Sequence, residues 1–282
     1  MTDQISSEPP QFEWQNPKPQ FDVGRVLGRT FSTLKNNFLK FGLSAFFVMG
    51  LPMFFLGLWP LLAGASEGLL SGAEYSERLI VGSMVASVLG VILYFFLYLI
   101  VQAILIHACF KDFAGEQVSL KASSKTALGL SLPLIGLMIL YSLGLFAGFI
   151  LLIIPGIILL LGWYICIPVM VVEKKGVTES LGRSWELTKG YKWWLLLLTI
   201  ILWVITAVIS AVLTLASVPF GNPTMAAFTG GSNLFWIVYA FTSALAQTIG
   251  VLISTAAVAA IYYEIRDLKE GITPESIASV FD

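Results

Sequence analysis

From residue 127 to residue 172 the chain runs 46 residues without one charged side chain. About 20 apolar helical residues already cross the roughly 30 Å of a bilayer's hydrocarbon, so this stretch is too long to be one span and reads as two. The turn between them is expected at Ile153-Ile154-Pro155-Gly156, where proline presets φ and glycine tolerates a left-handed backbone. Four further apolar stretches complete the pattern, giving spans near 41–64, 79–106, 127–153, 156–172, 193–218 and 234–263. The expected fold is all-α, a polytopic membrane protein with six transmembrane helices in a single membrane domain, 21–272. A proline-rich tail expected to be disordered, 1–20, precedes it, and a short tail, 273–282, follows.

Composition agrees and excludes other classes. Of 282 residues 57% are hydrophobic and 12% charged, more apolar surface than one soluble core could bury. A formal net charge of −1 argues against a nucleic-acid partner, and two cysteines without CxxC spacing argue for free thiols.

The charges set the sidedness. Of the 16 Lys and Arg residues, 15 fall on one side of the expected spans and only Arg78 falls opposite. By the positive-inside bias both termini are expected in the cytoplasm. All the acidic residues are expected in tails or loops, which argues against proton relays, voltage sensors and charged ion filters.

A repeat is written in the polar linkers. Residues 23–31, VGRVLGRTF, match 177–185, VTESLGRSW, each just ahead of a span, and Lys111-Asp112-Phe113 matches Arg266-Asp267-Leu268 at the corresponding exits. The reading is three like-oriented hairpins entered from cytoplasmic amphipathic helices. In the first helix Val23, Leu27, Phe31, Leu34 and Phe38 form the apolar face beside Arg25, Arg29 and Lys35. In the second, Val177, Leu181, Trp185, Thr188 and Tyr191 lie beside Arg183, Lys189 and Lys192. Two readings fit these helices. They lie flat on the inner leaflet with their cations on anionic headgroups, or they are entry helices whose Trp185, Tyr191, Trp193 and Trp194 form an aromatic belt.

Polar and small residues also form stripes inside the spans: Ser83, Ser87, Gly90, Tyr94 and Tyr98; Thr199, Thr206, Ser210, Thr214 and Ser217; Tyr239, Ser243, Gln247, Gly250 and Ser254. Gly144 and Gly148 add a GxxxG step. Such stripes serve helix packing. Alternatively, Tyr94, Tyr98, Gln102, Ser243 and Gln247 line a weakly polar cavity for a neutral or amphipathic molecule. No nucleophile–base set, metal-ligand cluster or phosphate loop is evident, so no cofactor, metal or catalytic residue is expected. The one histidine, His107, reads as an interfacial residue, and Cys109 and Cys166 as free thiols.

The run Ile154-Pro155-Gly156-Ile157-Ile158, then Ile167-Pro168-Val169-Met170-Val171-Val172-Glu173, then Gly176 and Arg183-Ser184-Trp185-Glu186-Leu187-Thr188 resembles the signature of YciC-type bacterial inner-membrane proteins. It is also similar to the membrane domain attached to some glycerophosphoryl diester phosphodiesterases. The resemblance is sharpest over residues 150–195. It implies a six-span protein of the bacterial cytoplasmic membrane, with Pro155, Gly156 and Pro168 as structural turn residues. The phosphodiesterase metal site belongs to a separate soluble domain and does not carry over. The leading expectation is a non-enzymatic membrane protein acting through lipids or partner membrane proteins. The alternatives are a facilitator for a neutral or amphipathic small molecule and a membrane subunit supporting a separate enzyme.

Overall fold

The computed structural model describes residues 20–58, 61, 73–221 and 232–271, with the side chains of 73–80, 83, 86 and 87 outside that description. The expected terminal tails and most of the loops opposite the basic end therefore lie outside the described residues, as do the side chains of Ser83 and Ser87 of the first stripe. What is described is helical, and six helices are long and apolar enough to cross a membrane. This is an all-α integral membrane protein.

Helix α1, Val23–Asn36, starts where Asp22 accepts hydrogen bonds from the amides of Gly24 and Arg25. The first span follows as α2 (Phe38–Ala45), a π-helical turn (Phe46–Gly50) and α3 (Leu51–Gly57). Its wide turn has a local cause. Pro52 has no N–H for the Val48 carbonyl, and the ladder shifts so that the Leu51 amide donates to Phe46 instead. Helix α4, Ala73–Phe113, is 41 residues long and runs well past the expected span. Helix α5, Leu120–Gly129, is a short amphipathic element capped by Ser119, and α6, Ser131–Leu151, is the third span.

The central hairpin corrects the sequence reading. The chain breaks at Leu152, whose backbone is extended, and not at Pro155-Gly156. Pro155 and Gly156 belong to the first turn of α7, Ile153–Gly162. There a missing N–H is harmless, because amides of a first turn have no intrahelical acceptor. Gly156 has no positive φ. It is needed for closeness: a Cβ there would sit 2.5 Å from the Phe149 ring, and one on Gly148 would sit 3.2 Å from the Gly156 Cα.

The fourth span is broken as well. After α7 the chain turns through Trp163-Tyr164-Ile165 and resumes as α8, Cys166–Glu173, with Pro168 in its first turn. Helix α9, Val177–Thr188, follows, then a turn in which Gly190 takes a φ of +94°. Helix α10, Lys192–Leu215, is the fifth span, and α11, Asn233–Glu270, is the sixth. The repeated linkers thus both begin helices at their matching valines, Val23 and Val177.

Helix α11 is the centre of the bundle. Every residue from 251 to 265 is buried except Ser254 and Tyr263. Helices α1, α4, α8, α9 and α10 and the first span all touch it. Small side chains make this possible, with Ala256, Ala257, Ala259 and Ala260 all at 1% exposure or less. Helices α4 and α11 run parallel, since Tyr94 meets Gln247 while Phe110 and Phe113 meet Tyr262 and Tyr263. The outer spans show the opposite face: Leu132, Ile139, Leu143, Phe146 and Ile150 form an exposed apolar stripe on α6, as expected of a side turned to lipid.

The close approach of the first span to α11 is testable. A Cβ on Gly57 would lie 2.9 Å from the Ala240 Cβ and 3.1 Å from its Cα, neither of which can rotate away. Gly57→Ala is expected to destabilise the protein by about 1–3 kcal/mol. Gly42→Ala, whose Cβ would meet nothing within 4 Å, is expected to be neutral or mildly stabilising. Thermal unfolding in detergent distinguishes the two.

Candidate functional site

Two polar regions stand out, one at the end of the bundle that gathers the basic residues and one at mid-depth between α10 and α11.

At the basic end, carboxylates pin both linker helices to the core. Glu264 on α11 has a side chain only 2% exposed and takes Arg25 at 2.7 Å and Arg29 at 3.5 Å, both from α1. The Arg29 guanidinium also lies 4.1 Å from the centre of the Tyr263 ring. A second group forms around Glu173 at the end of α8. It accepts from the Tyr262 hydroxyl at 2.8 Å and pairs with Arg183 and Lys175, each at 3.2 Å. Arg183 pairs with Glu270 too, and Glu270 takes Arg266 at 3.0 Å. Burial works against the Arg183 charge, but the Glu270 hydrogen bond and the two carboxylates outweigh it and hold the group above its ordinary pKa.

This arrangement corrects one expectation. Glu173, Glu264 and Glu270 lie on helices and not in loops: Glu173 ends α8, and α11 continues past residue 263 to carry the other two. Glu264 nonetheless sits at the basic end of α11 and not at mid-depth. The linker arginines, for which headgroup contact was one of two readings, face carboxylates of their own chain. Lys35 and Lys189 are exposed, as is Trp193, while Lys192 lies 3.5 Å from the centre of the Trp185 ring.

Helix α9 packs on the bundle through a polar face. Ser180, Ser184 and Thr188 are fully buried along one face. The hydroxyls of Ser184 and Thr188 donate to the Gly162 carbonyl at 2.9 and 3.1 Å. That carbonyl is freed by the break in the fourth span, so α9 supplies the hydrogen bonds that the broken helix cannot. Gly162 has to be glycine, since a Cβ would lie 2.2 Å from the Trp185 ring. The four-residue spacing of Ser180, Ser184 and Thr188 was the sequence signal for this buried face. His107 is buried as well, with Nδ1 3.0 Å from the Ser123 hydroxyl of α5. Cys109 and Cys166 are free and buried.

The second region is a groove of about 420 Å³. Thr199, Leu202, Trp203, Thr206, Ala207 and Ser210 of α10 line one wall, and Ala246, Gln247, Gly250, Val251 and Ser254 of α11 line the other. Tyr94, Tyr98 and Tyr164 form the floor. No lining residue is charged. Trp203, Ala207 and Gln247 are exposed, so the groove opens to the side. At about 1.5 Å per helical residue, Gln247 lies roughly 20 Å from the Asn233 end of α11 and roughly 25 Å from Glu264. Its amide donates to the Tyr94 hydroxyl at 3.2 Å.

Of the five expected cavity residues, the structure brings Tyr94, Tyr98 and Gln247 together in this groove. Gln102 lies behind it, donating to the Tyr98 hydroxyl at 3.0 Å. Ser243 donates to the Ala240 carbonyl of its own helix and takes no part in the lining. Tyr164 and Trp203 had not been singled out. Tyr164 reaches the groove only because the fourth span breaks beside it, which no spacing rule reveals.

Compared with protein-family models, curated proteins and solved structures, the chain matches none.

The basic end yields a stability prediction. Removing Glu264 would break both charge-assisted pairs between α1 and α11, so Glu264→Ala is expected to cost about 2–3 kcal/mol. Arg25→Ala, whose side chain is half exposed, is expected to cost about 1 kcal/mol or less. Unfolding in detergent should therefore rank Glu264→Ala well below Arg25→Ala.

Proposed function

We propose that the protein takes an uncharged amphiphile from the surrounding bilayer into the groove between α10 and α11. One observation carries this reading: Gln247 presents an amide on an exposed wall at mid-depth. Its Nε2 is engaged by the Tyr94 hydroxyl, but hydrocarbon offers the rest of the amide no hydrogen bond, and polar capacity left unmet there is costly. A molecule with both a polar head and an apolar body fits the mixture of Tyr, Thr and Gln with Leu202 and Trp203. The uncharged lining favours a neutral head over a phosphate or carboxylate.

The chain's charge distribution supports the basic end as the cytoplasmic one. The resemblance to YciC-type proteins supports a bacterial cytoplasmic membrane. The exposed Lys35 and Lys189, with Trp193 beside the Lys192–Trp185 pair, support contact with anionic headgroups at that end. In this reading Arg25, Arg29 and Arg183 hold the linker helices in place and do not bind lipid.

Photocrosslinking with an uncharged lipid bearing a diazirine on its acyl chain is expected to label α10 and α11 around Trp203 and Gln247. Gln247→Leu combined with Tyr94→Phe should lower that labelling severalfold, whereas labelling spread evenly around the bundle would defeat the proposal. For the orientation, Ser232→Cys should react with an impermeant thiol reagent added outside cells and Thr178→Cys should not. The opposite pattern would reverse the assignment.

A further inference from the structure

The polar surface does not stop at the groove's floor. One turn beyond Tyr98 towards the basic end, Gln102 is 6% exposed, and only one end of its amide is engaged, Nε2 donating to the Tyr98 hydroxyl. Its Oε1 has no partner. Thr255, fully buried and adjacent to the groove-lining Ser254, has a hydroxyl with no partner either. Among the described residues these are the buried side-chain polar atoms without a hydrogen bond.

They also lie at one level. Tyr94 meets Gln247 through a hydrogen bond, and further along the Phe110 and Tyr262 rings are 5.4 Å apart. With α4 and α11 parallel, that register sets Gln102 level with Ser254 and Thr255. A buried polar group left unmet costs the whole of its desolvation, so each such atom calls for an unseen partner. Two at the same depth, directly behind a groove, call for a common one.

We propose that Gln102 and Thr255 form a head subsite of the groove, and that it takes the hydroxyl of an uncharged lipid alcohol such as a diacylglycerol. This rests on the groove reading above and adds the chemistry of the head. A hydroxyl both donates and accepts, so it serves the amide whichever way it is turned and serves the Thr255 hydroxyl as well. An ether oxygen only accepts and leaves Oε1 unmet. Water offers the same chemistry as the lipid hydroxyl, and the experiment below separates the two.

The intact protein in phosphatidylcholine nanodiscs is loaded with either 1,2-dioleoylglycerol or its 3-O-methyl ether, and retention of each is read by native mass spectrometry. The wild type is expected to retain the alcohol roughly five- to tenfold better, the worth of about one hydrogen bond. Gln102→Leu should abolish that preference while both lipids are still held. Thr255→Val, which preserves shape, should reduce it and provides the same test if the Gln102→Leu protein does not fold. Equal retention of alcohol and ether by the wild type would overturn the subsite and assign the two atoms to water, with the groove reading intact. A preference that survives in the variants would overturn it too. Retention of neither lipid would sink the subsite together with the groove reading.

Discussion

The bundle depends on one helix being enclosed on all sides. In a bilayer, lipid tails are as apolar as leucine, so helices gain little from hiding apolar surface and associate through close packing and buried hydrogen bonds. The half of α11 towards the basic end meets that requirement with alanines, which let its neighbours approach closely. The first span responds with glycines at the same seam, Gly50 against Thr248 and Gly57 against Ala240. At the basic end the carboxylates of Glu264 and Glu270 hold the linker helices onto the same element. Helix α6, which has little contact with α11, carries a broad exposed apolar face.

The broken fourth span ties this scaffold to the groove. Its interruption frees the Gly162 carbonyl on one side and turns Tyr164 towards the groove on the other. The hydroxyls that satisfy the carbonyl come from α9, and α9 is held in turn by the pairing of Arg183 with Glu173 and Glu270. A packed and ion-paired element thus supports a wall of a lateral opening in the membrane. The linker helices have a structural duty that their amphipathic pattern alone would not suggest.

Much of the architecture was legible in the residues. Six spans could be counted because charge is excluded from long stretches, although the break in the stretch from 127 to 172 falls at Leu152 and not at the expected Ile153–Gly156 turn. The roles inside that hairpin were not. Gly156 was read as a turn residue for its conformational freedom, yet the structure uses its lack of a side chain against Phe149. The polar stripe was legible at Tyr94, Tyr98 and Gln247, because mid-span amide and phenol groups are conspicuous. Whether each faced a cavity, a neighbour or its own backbone was not legible, and Ser243 and Gln102 show the difference.

What the sequence determined by itself was the solvent each segment requires, since transfer of charge into hydrocarbon is costly wherever the residue sits in the fold. It also determined where helices start, because caps such as Asp22 and Ser232 act on amides a few positions away. Only the tertiary structure decided that Arg29 meets Glu264, that Ser184 reaches Gly162 and that Tyr164 and Gln247 line one groove. These partners are separated by tens to hundreds of residues along the chain. Their meeting follows from how closely helices can approach, which is a property of facing surfaces and not of any one segment.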